Sequence, residues 1–189
     1  MKIDRILYFI ASVLLILTVF LTCIDVASFD RGFYRKEYIK YTNAEVIGIT
    51  QDELDEVTEV LLGYIQDKND DLTVYANVHG ENREVFNEKE KLHMVDVKEL
   101  YHNAMLVRNV GAIVVGLILL SFVLSKRFDF SEFKDSFKAA GLLYLVILGC
   151  CCLWAVTDFN AFWINFHYVF FDNELFFLDP RTDILIMMV

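Results

Sequence analysis

Four histidines, His79, His93, His102 and His167, are the side chains best suited to move protons near neutral pH. His93 has Glu90 and Asp96 three residues away on either side. On a helix that spacing places all three on one face, where either carboxylate can hold one imidazole nitrogen and fix the ring's tautomer. An ordinary surface salt-bridge face satisfies the same local pattern. His167 sits in residues 159–171, a stretch of 13 uncharged residues dense in aromatic side chains. A titratable group is costly to bury there without a role, and a histidine at the headgroup level is the plainer alternative. His79 precedes Gly80 in a turn, and His102 reads as an interfacial residue near the start of an apolar run. The chain carries no G-x-S-x-G elbow, no H-E-x-x-H, no P-loop and no Gly-rich phosphate cradle. Covalent catalysis by serine or cysteine is therefore not signalled, and acid–base chemistry by two imidazoles is the simplest scheme left. Cys23, Cys150, Cys151 and Cys152 all fall in apolar runs, with no C-x-x-C pattern. They read as packing residues, and neither a metal nor a cofactor is expected.

The elements that must position these residues follow from composition. Of 189 residues, 56% are hydrophobic and 15% aromatic, and the mean hydropathy is +0.42. The apolar residues gather into uncharged runs of 19, 17 and 19 residues at positions 6–24, 109–125 and 139–157. Roughly 20 apolar residues cross a bilayer's hydrocarbon core, so three spanning helices are expected, over 1–27, 105–125 and 139–157. The first run is longer than the roughly 7–15 residues of a cleaved leader, and no A-x-A-like site follows it. Thr22, ahead of Cys23, is also larger than a lipobox would place there.

Net charge is −10, and its placement sets the topology. Residues 28–104 hold 17 acidic and 9 basic side chains, whereas loop 126–138 carries Lys126, Arg127, Lys134 and Lys138 against three acids. The positive-inside rule puts this loop and the N-terminus, with Lys2 and Arg5, in the cytoplasm, and segment 28–104 outside. An acidic outer domain argues against nucleic acid as a partner, because phosphate binding needs clustered Lys and Arg.

Within that segment, residues 29–41 are aromatic and basic and suit the headgroup region. Residues 43–49 alternate weakly, as a strand would. Thr50 and Glu53 form a capping box ahead of Leu54, Val57, Leu61, Tyr64 and Ile65 at helical spacing. This helix should end near Asp67. Residues 72–78 read as a strand closed by His79-Gly80, and Asn87 with Glu90 caps a further helix. No Pro or Gly interrupts 87–110, so that helix should feed directly into the second span. The cap is thus a small α+β unit. Residues 158–180 read as a re-entrant or interfacial segment, too short to cross. After Asp179-Pro180-Arg181, residues 181–189 read as the opening of a fourth spanning helix cut short by the end of the sequence. The expected class is an α-helical integral membrane protein of about four transmembrane helices with a small extracellular α+β cap.

Two segments resemble one known family. Residues 87–98, Asn-Glu-Lys-Glu-Lys-Leu-His-Met-Val-Asp-Val-Lys, are similar to one motif of the bacterial lipoprotein intramolecular transacylases (Lit). Residues 166–173, Phe-His-Tyr-Val-Phe-Phe-Asp-Asn, continuing to Leu178-Asp179-Pro180 and to Asp183-Ile184-Leu185-Ile186, are similar to a second. The plan of one span, an outer cap and further spans resembles the family over nearly the whole length. Where many members carry an aromatic residue, usually Trp, after the second motif, Leu175 or Phe176 stands here.

The resemblance implies an acyltransferase of the bacterial plasma membrane that transfers an acyl group within its substrate, a diacylglyceryl lipoprotein. The sn-2 acyl chain would move to the α-amino group of the N-terminal cysteine, giving the lyso form. The motifs place the family's two catalytic histidines at His93 and His167. Asp96, Glu90, Asp172 and Asn173 are then candidates to orient them. Arg108, Arg31, Tyr34, Trp163, Phe166, Phe170 and Phe171 are candidates to bind substrate, the aromatics as stiff apolar walls. Lipid bilayer and lipoprotein are the expected partners, and a monomer the expected state. A straight helix would lift His93 roughly 20 Å above the second span, so a bend or a surface-lying stretch is expected there. The competing expectations are a non-enzymatic sensor or assembly factor that binds a partner through its acidic cap, and a metal-assisted membrane hydrolase.

Overall fold

The structure is a computed structural model that describes residues 2–188. Ten elements follow in order: α1 (Lys2–Ser28), α2 (Arg31–Tyr41), α3 (Asn43–Ile47), α4 (Gln51–Ile65), β1 (Tyr75–Val78), β2 (Glu81–Glu84), α5 (Glu88–Leu124), α6 (Phe130–Thr157), α7 (Phe159–Phe170) and α8 (Ile184–Met187). Among the described residues three helices are long and apolar enough to cross a membrane: α1, α5 and α6. They carry the three uncharged runs. The chain divides into two compact units, one of residues 1–26 and 103–169, the other of residues 27–102 and 170–189.

The first unit holds the apolar helices. Tyr8 on α1, 1% exposed, stacks on Phe122 of α5 at 4.2 Å between centroids and meets Phe128 and Phe133 edge-on, each at 6.1 Å. Its hydroxyl accepts from the Asp129 backbone N–H at 2.8 Å, just where α6 begins. Asp129 itself caps α6, accepting from the N–H groups of Ser131 and Glu132. Farther along, Tyr144 donates to the Val13 carbonyl at 3.2 Å. Gly111 faces Thr18 so closely that an added Cβ would lie 3.1 Å from the hydroxyl oxygen. Leu117, Leu142, Leu145 and Val156 point outward, more than 60% exposed, as side chains that face lipid do.

The second unit is built on α2, α3 and α4, a β-hairpin, the first turns of α5 and the segment after α7. Leu54, Val57, Val85, Phe86 and Tyr38 are each 3% exposed or less and form its core. The Thr50–Glu53 capping box is present on α4. The hairpin is antiparallel, with Tyr75 opposite Glu84 and Val78 opposite Glu81. Its two-residue turn is His79-Gly80, both at positive φ (52° and 89°), the backbone that a tight hairpin turn demands.

Two expectations differ from what is observed, and one strand carries no signal in the sequence. Residues 43–49 form no strand; residues 43–47 are the short helix α3. Thr42 and Gly48, both left-handed, bracket one turn that buries Ala44 and Ile47. The second strand, Glu-Asn-Arg-Glu, is polar throughout and exposed except at the half-buried Glu84, so no alternation announces it. The segment expected to open a fourth span forms α8 instead, with Ile184 and Leu185 2% and 8% exposed in the second unit's core. Val189, the end of that expected segment, lies outside the described residues, as does Met1 at the start of the first. The expected direct run of the capped helix into the second span is observed: α5 is one helix of 37 residues.

Candidate functional site

In the second unit, the site begins at the N-terminus of α5. The Asn87 side-chain oxygen accepts from the Glu90 N–H at 3.0 Å, and a Glu90 oxygen accepts from the Asn87 N–H at 2.7 Å, a reciprocal cap. The other Glu90 oxygen accepts from the Leu185 N–H at 2.6 Å, and Glu90 is 1% exposed. Glu90 therefore ties α5 to α8, with both oxygens taken by backbone donors. Asn87 also donates to Asp183 at 2.9 Å, and Asp183 accepts from the Asp179 N–H at 2.7 Å. Lys89 donates to the Phe177 carbonyl. Residues 177–185 are thereby fastened across the first turn of α5.

His93 comes one turn later and is 7% exposed. The Phe171 ring meets it edge-on, 5.5 Å between centroids and 76° between planes. One turn further, Asp96 accepts from the Asn173 side-chain amide at 2.8 Å, while the Asn173 oxygen accepts from the Leu175 N–H at 3.0 Å. Phe171 and Asn173 thus lock the stretch after α7 onto the His93 face. Of the two carboxylates flanking His93 in sequence, Glu90 turns into the core of the second unit and Asp96 engages Asn173. Asp172, between Phe171 and Asn173, is exposed. Arg31 pairs with Glu59 at 2.9 Å, and the Tyr34 hydroxyl donates to the Ser28 carbonyl at 3.1 Å. Both line a cleft of about 480 Å³ between α2 and α4. Burial raises the Tyr34 pKa above its ordinary value, so this phenol stays protonated at neutral pH.

In the first unit, α7 carries an aromatic ladder. Phe159 stacks on Trp163 at 5.9 Å, and Trp163 on Phe166 at 6.3 Å, both pairs within 18° of parallel. His167 is buried beside it, its ring 4.5 Å from Trp163 and 5.7 Å from Phe166, edge-on to both. Its Nδ1 lies 2.8 Å from the Trp163 carbonyl oxygen. A carbonyl only accepts, so this bond requires the proton on Nδ1, and the tautomer that makes it carries its lone pair on Nε2. Arg108 bonds Asp25 at 2.6 Å, and its Nε donates to Asn109 at 3.2 Å. The motifs do not point to Asp25; its signal in the sequence is an acid placed directly after the first uncharged run. Phe170, at the end of α7, is exposed.

The other two histidines are elsewhere. His79 is exposed in the hairpin turn, packed over Gly48. His102 lies 2.9 Å from an Asp67 oxygen, and Lys98 bonds the same carboxylate at 2.5 Å. The Lys98 bond holds the Asp67 carboxyl below its ordinary range. Among the described residues no group of three His, Cys, Asp or Glu side chains is placed to hold a metal ion.

The sequence pattern of the family described as lipoprotein intramolecular transacylase Lit matches residues 9–189. Among solved structures, the membrane-integral lipoprotein intramolecular transacylase of Bacillus cereus superposes with a TM-score of 0.78 at 18% identity, over 99% of this chain and 81% of that one. The same protein with a histidine replaced by arginine or by alanine gives TM-scores of 0.77 and 0.76 at 17% identity. Those two matches cover 99% of this chain and 78% and 80% of theirs. At such identity the likeness is one of fold. No curated protein matches the chain.

Proposed function

The chain belongs to the lipoprotein intramolecular transacylase family, and from that membership we propose that it moves the sn-2 acyl chain of a diacylglyceryl lipoprotein onto the α-amino group of the lipoprotein's N-terminal cysteine. His167 is the base and His93 the acid. The observation that carries this assignment is the 2.8 Å contact of His167 Nδ1 with the Trp163 carbonyl, which directs the ring's basic nitrogen away from its own helix.

An α-ammonium has a pKa of roughly 7.7–8, so the nucleophile must shed a proton at neutral pH. After that first proton has gone to water, His167 Nε2 takes a second one from nitrogen as the neutral amine attacks the ester carbonyl carbon and the C–N bond forms. The tetrahedral centre then collapses. The C–O bond to glycerol breaks, and His93 gives its proton to the departing sn-2 oxygen. One imidazole gains a proton and the other loses one, and exchange with water restores both. Nucleophile and ester belong to one molecule, so orientation does most of the work. About 7–11 kcal/mol is the upper range for well-placed intramolecular partners. The Trp163 and Phe166 rings supply stiff apolar walls for folding the substrate back on itself. No enzyme nucleophile is required, in keeping with the lack of any serine or cysteine motif. In this reading the second unit is extracellular and the N-terminus cytoplasmic.

The test is mass spectrometry of lipoprotein N-terminal peptides from cells expressing His93→Ala or His167→Ala. Each variant is expected to leave the diacylglyceryl form with a free amine while still accumulating folded in the membrane. Normal lyso product from either one removes that histidine from the mechanism. Failure of purified wild-type protein to transfer the acyl chain when given substrate alone favours the sensor instead.

A further inference from the structure

Within the first unit, the start of α1 and the start of α6 enclose a cleft of about 470 Å³ lined by Arg5, Ile6, Phe9, Glu132, Asp135, Ser136 and Ala139. That size falls in the roughly 300–1,000 Å³ range of small-ligand sites. We propose that this cleft binds the headgroup of a phospholipid bearing both a phosphate and a primary ammonium.

The first argument is position. Arg5 immediately precedes the uncharged run that begins at Ile6, and Lys138 immediately precedes the one that begins at Ala139. The cleft therefore straddles the step from charged to apolar side chains on both helices, which in a spanning helix marks the headgroup level. Its charged residues lie on the polar side of that step, and Ile6, Phe9 and Ala139 on the apolar side, where a lipid's glycerol and first methylenes would rest.

The second argument is an unused hydroxyl. Ser136 is 7% exposed. Several helical hydroxyls in this chain donate to a carbonyl one turn back, Ser12 to Tyr8, Thr22 to Thr18, Ser125 to Ser121 and Thr157 to Leu153, although that of Thr18 does not. Ser136 makes no such bond, and Asp135 beside it forms no ion pair with any described residue. The Ser136 hydroxyl is not sealed off; it opens to the cleft that the residue lines, available to a group that enters it.

The third argument is charge. Arg5 lies 3.8 Å from Glu132 and is 76% exposed, a loose surface pair that holds neither side chain firmly. The cleft thus offers one guanidinium for a phosphate and two carboxylates, with the Ser136 oxygen, for a cation. A primary ammonium has three N–H donors to match those acceptors; a trimethylammonium has none. A purely anionic headgroup would meet Glu132 and Asp135 unscreened. The proposal does not depend on the acyl-transfer reading.

The experiment is native mass spectrometry of the full chain, released from membranes and offered equal amounts of phosphatidylethanolamine, phosphatidylcholine and phosphatidylglycerol. Wild type is expected to retain phosphatidylethanolamine over phosphatidylcholine by about tenfold. Asp135→Asn, at an exposed position, should shrink that ratio to within about twofold, and Ser136→Ala should reduce it in the same direction. Arg5→Gln should weaken retention of both zwitterionic lipids alike. Equal retention of all three lipids by wild type, a preference for phosphatidylglycerol, or a ratio that neither Asp135→Asn nor Ser136→Ala moves would overturn the proposal. Soluble phosphoethanolamine, offered separately, should not bind at the concentration that saturates the lipid. If it binds as well as the lipid, the site serves a free solute and the lipid assignment fails.

Discussion

Replacing Asn173 by Asp isolates the contact that fastens the post-α7 stretch beside His93. Asn173 donates to an Asp96 oxygen at 2.8 Å and accepts from the Leu175 N–H through its own oxygen. Aspartate keeps the shape and the second bond but sets two carboxylates at the distance of the first. Two unit charges that close repel by about 6 kcal/mol at an effective dielectric of about 20, and by about 1.5 kcal/mol in bulk water. Both residues are half-buried, so water screens the pair and a net cost of about 2–3 kcal/mol is expected at neutral pH. Asn173→Ala loses both bonds, about 1.5 kcal/mol for the one to the charged acceptor and about 0.5 kcal/mol for the half-buried Leu175 N–H, which water can then reach. Crowding raises the upper apparent pKa of the new pair above the unfolded value of about 3.9. The destabilisation is therefore present above that raised value and relieved as pH falls through it, when the shared proton restores a hydrogen bond. Hydrogen-exchange protection of residues 88–100, corrected for intrinsic rates, reads this directly. Aspartate should lower protection about 30–150-fold at about pH 7.5, more than alanine does, and the order should reverse near pH 4.5. Equal effects of the two variants at about pH 7.5, or no recovery of the aspartate variant in acid, would refute the reasoning.

Two further outcomes follow from the second unit. Gly48 has φ +82°, and a Cβ there would lie 2.2 Å from the His79 ring, so Gly48→Ala should cost about 2 kcal/mol or more in an unfolding titration. Adding His79→Ala should return the clash component while leaving the backbone strain. Glu53 is held below its ordinary value by the backbone N–H of Thr50 and then that of Asn77. A depressed carboxylate stabilises above its unfolded pKa of about 4.3, and this contribution fades as pH falls through the lower folded value. Glu53→Gln should flatten that acid limb of the stability–pH curve; an unchanged limb assigns the acid sensitivity elsewhere.

Much of the local architecture was readable along the chain. The spans were legible because bilayer thickness demands a run of about 20 apolar residues, which is a property of composition alone. The Thr50–Glu53 and Asn87–Glu90 caps were legible because each is closed by residues three apart. The unbroken α5 followed from a stretch without Pro or Gly. Residues 43–49 misled because their alternation is weak, and burial of Ala44 and Ile47 against distant partners decided for a helix. The second strand has no hydrophobic face to advertise it; its partner strand and the positive-φ turn create it.

The candidate site divides along the same line. Which residue types stand near His93 and His167 is a matter of spacing, and spacing is local. Glu90 turning to Leu185, Asp96 meeting Asn173 and Arg108 meeting Asp25 join positions 95, 77 and 83 residues apart. Side-chain hydrogen bonds last over about 3 Å, so only the folded path of the backbone can choose among carboxylates that the linear pattern leaves equivalent.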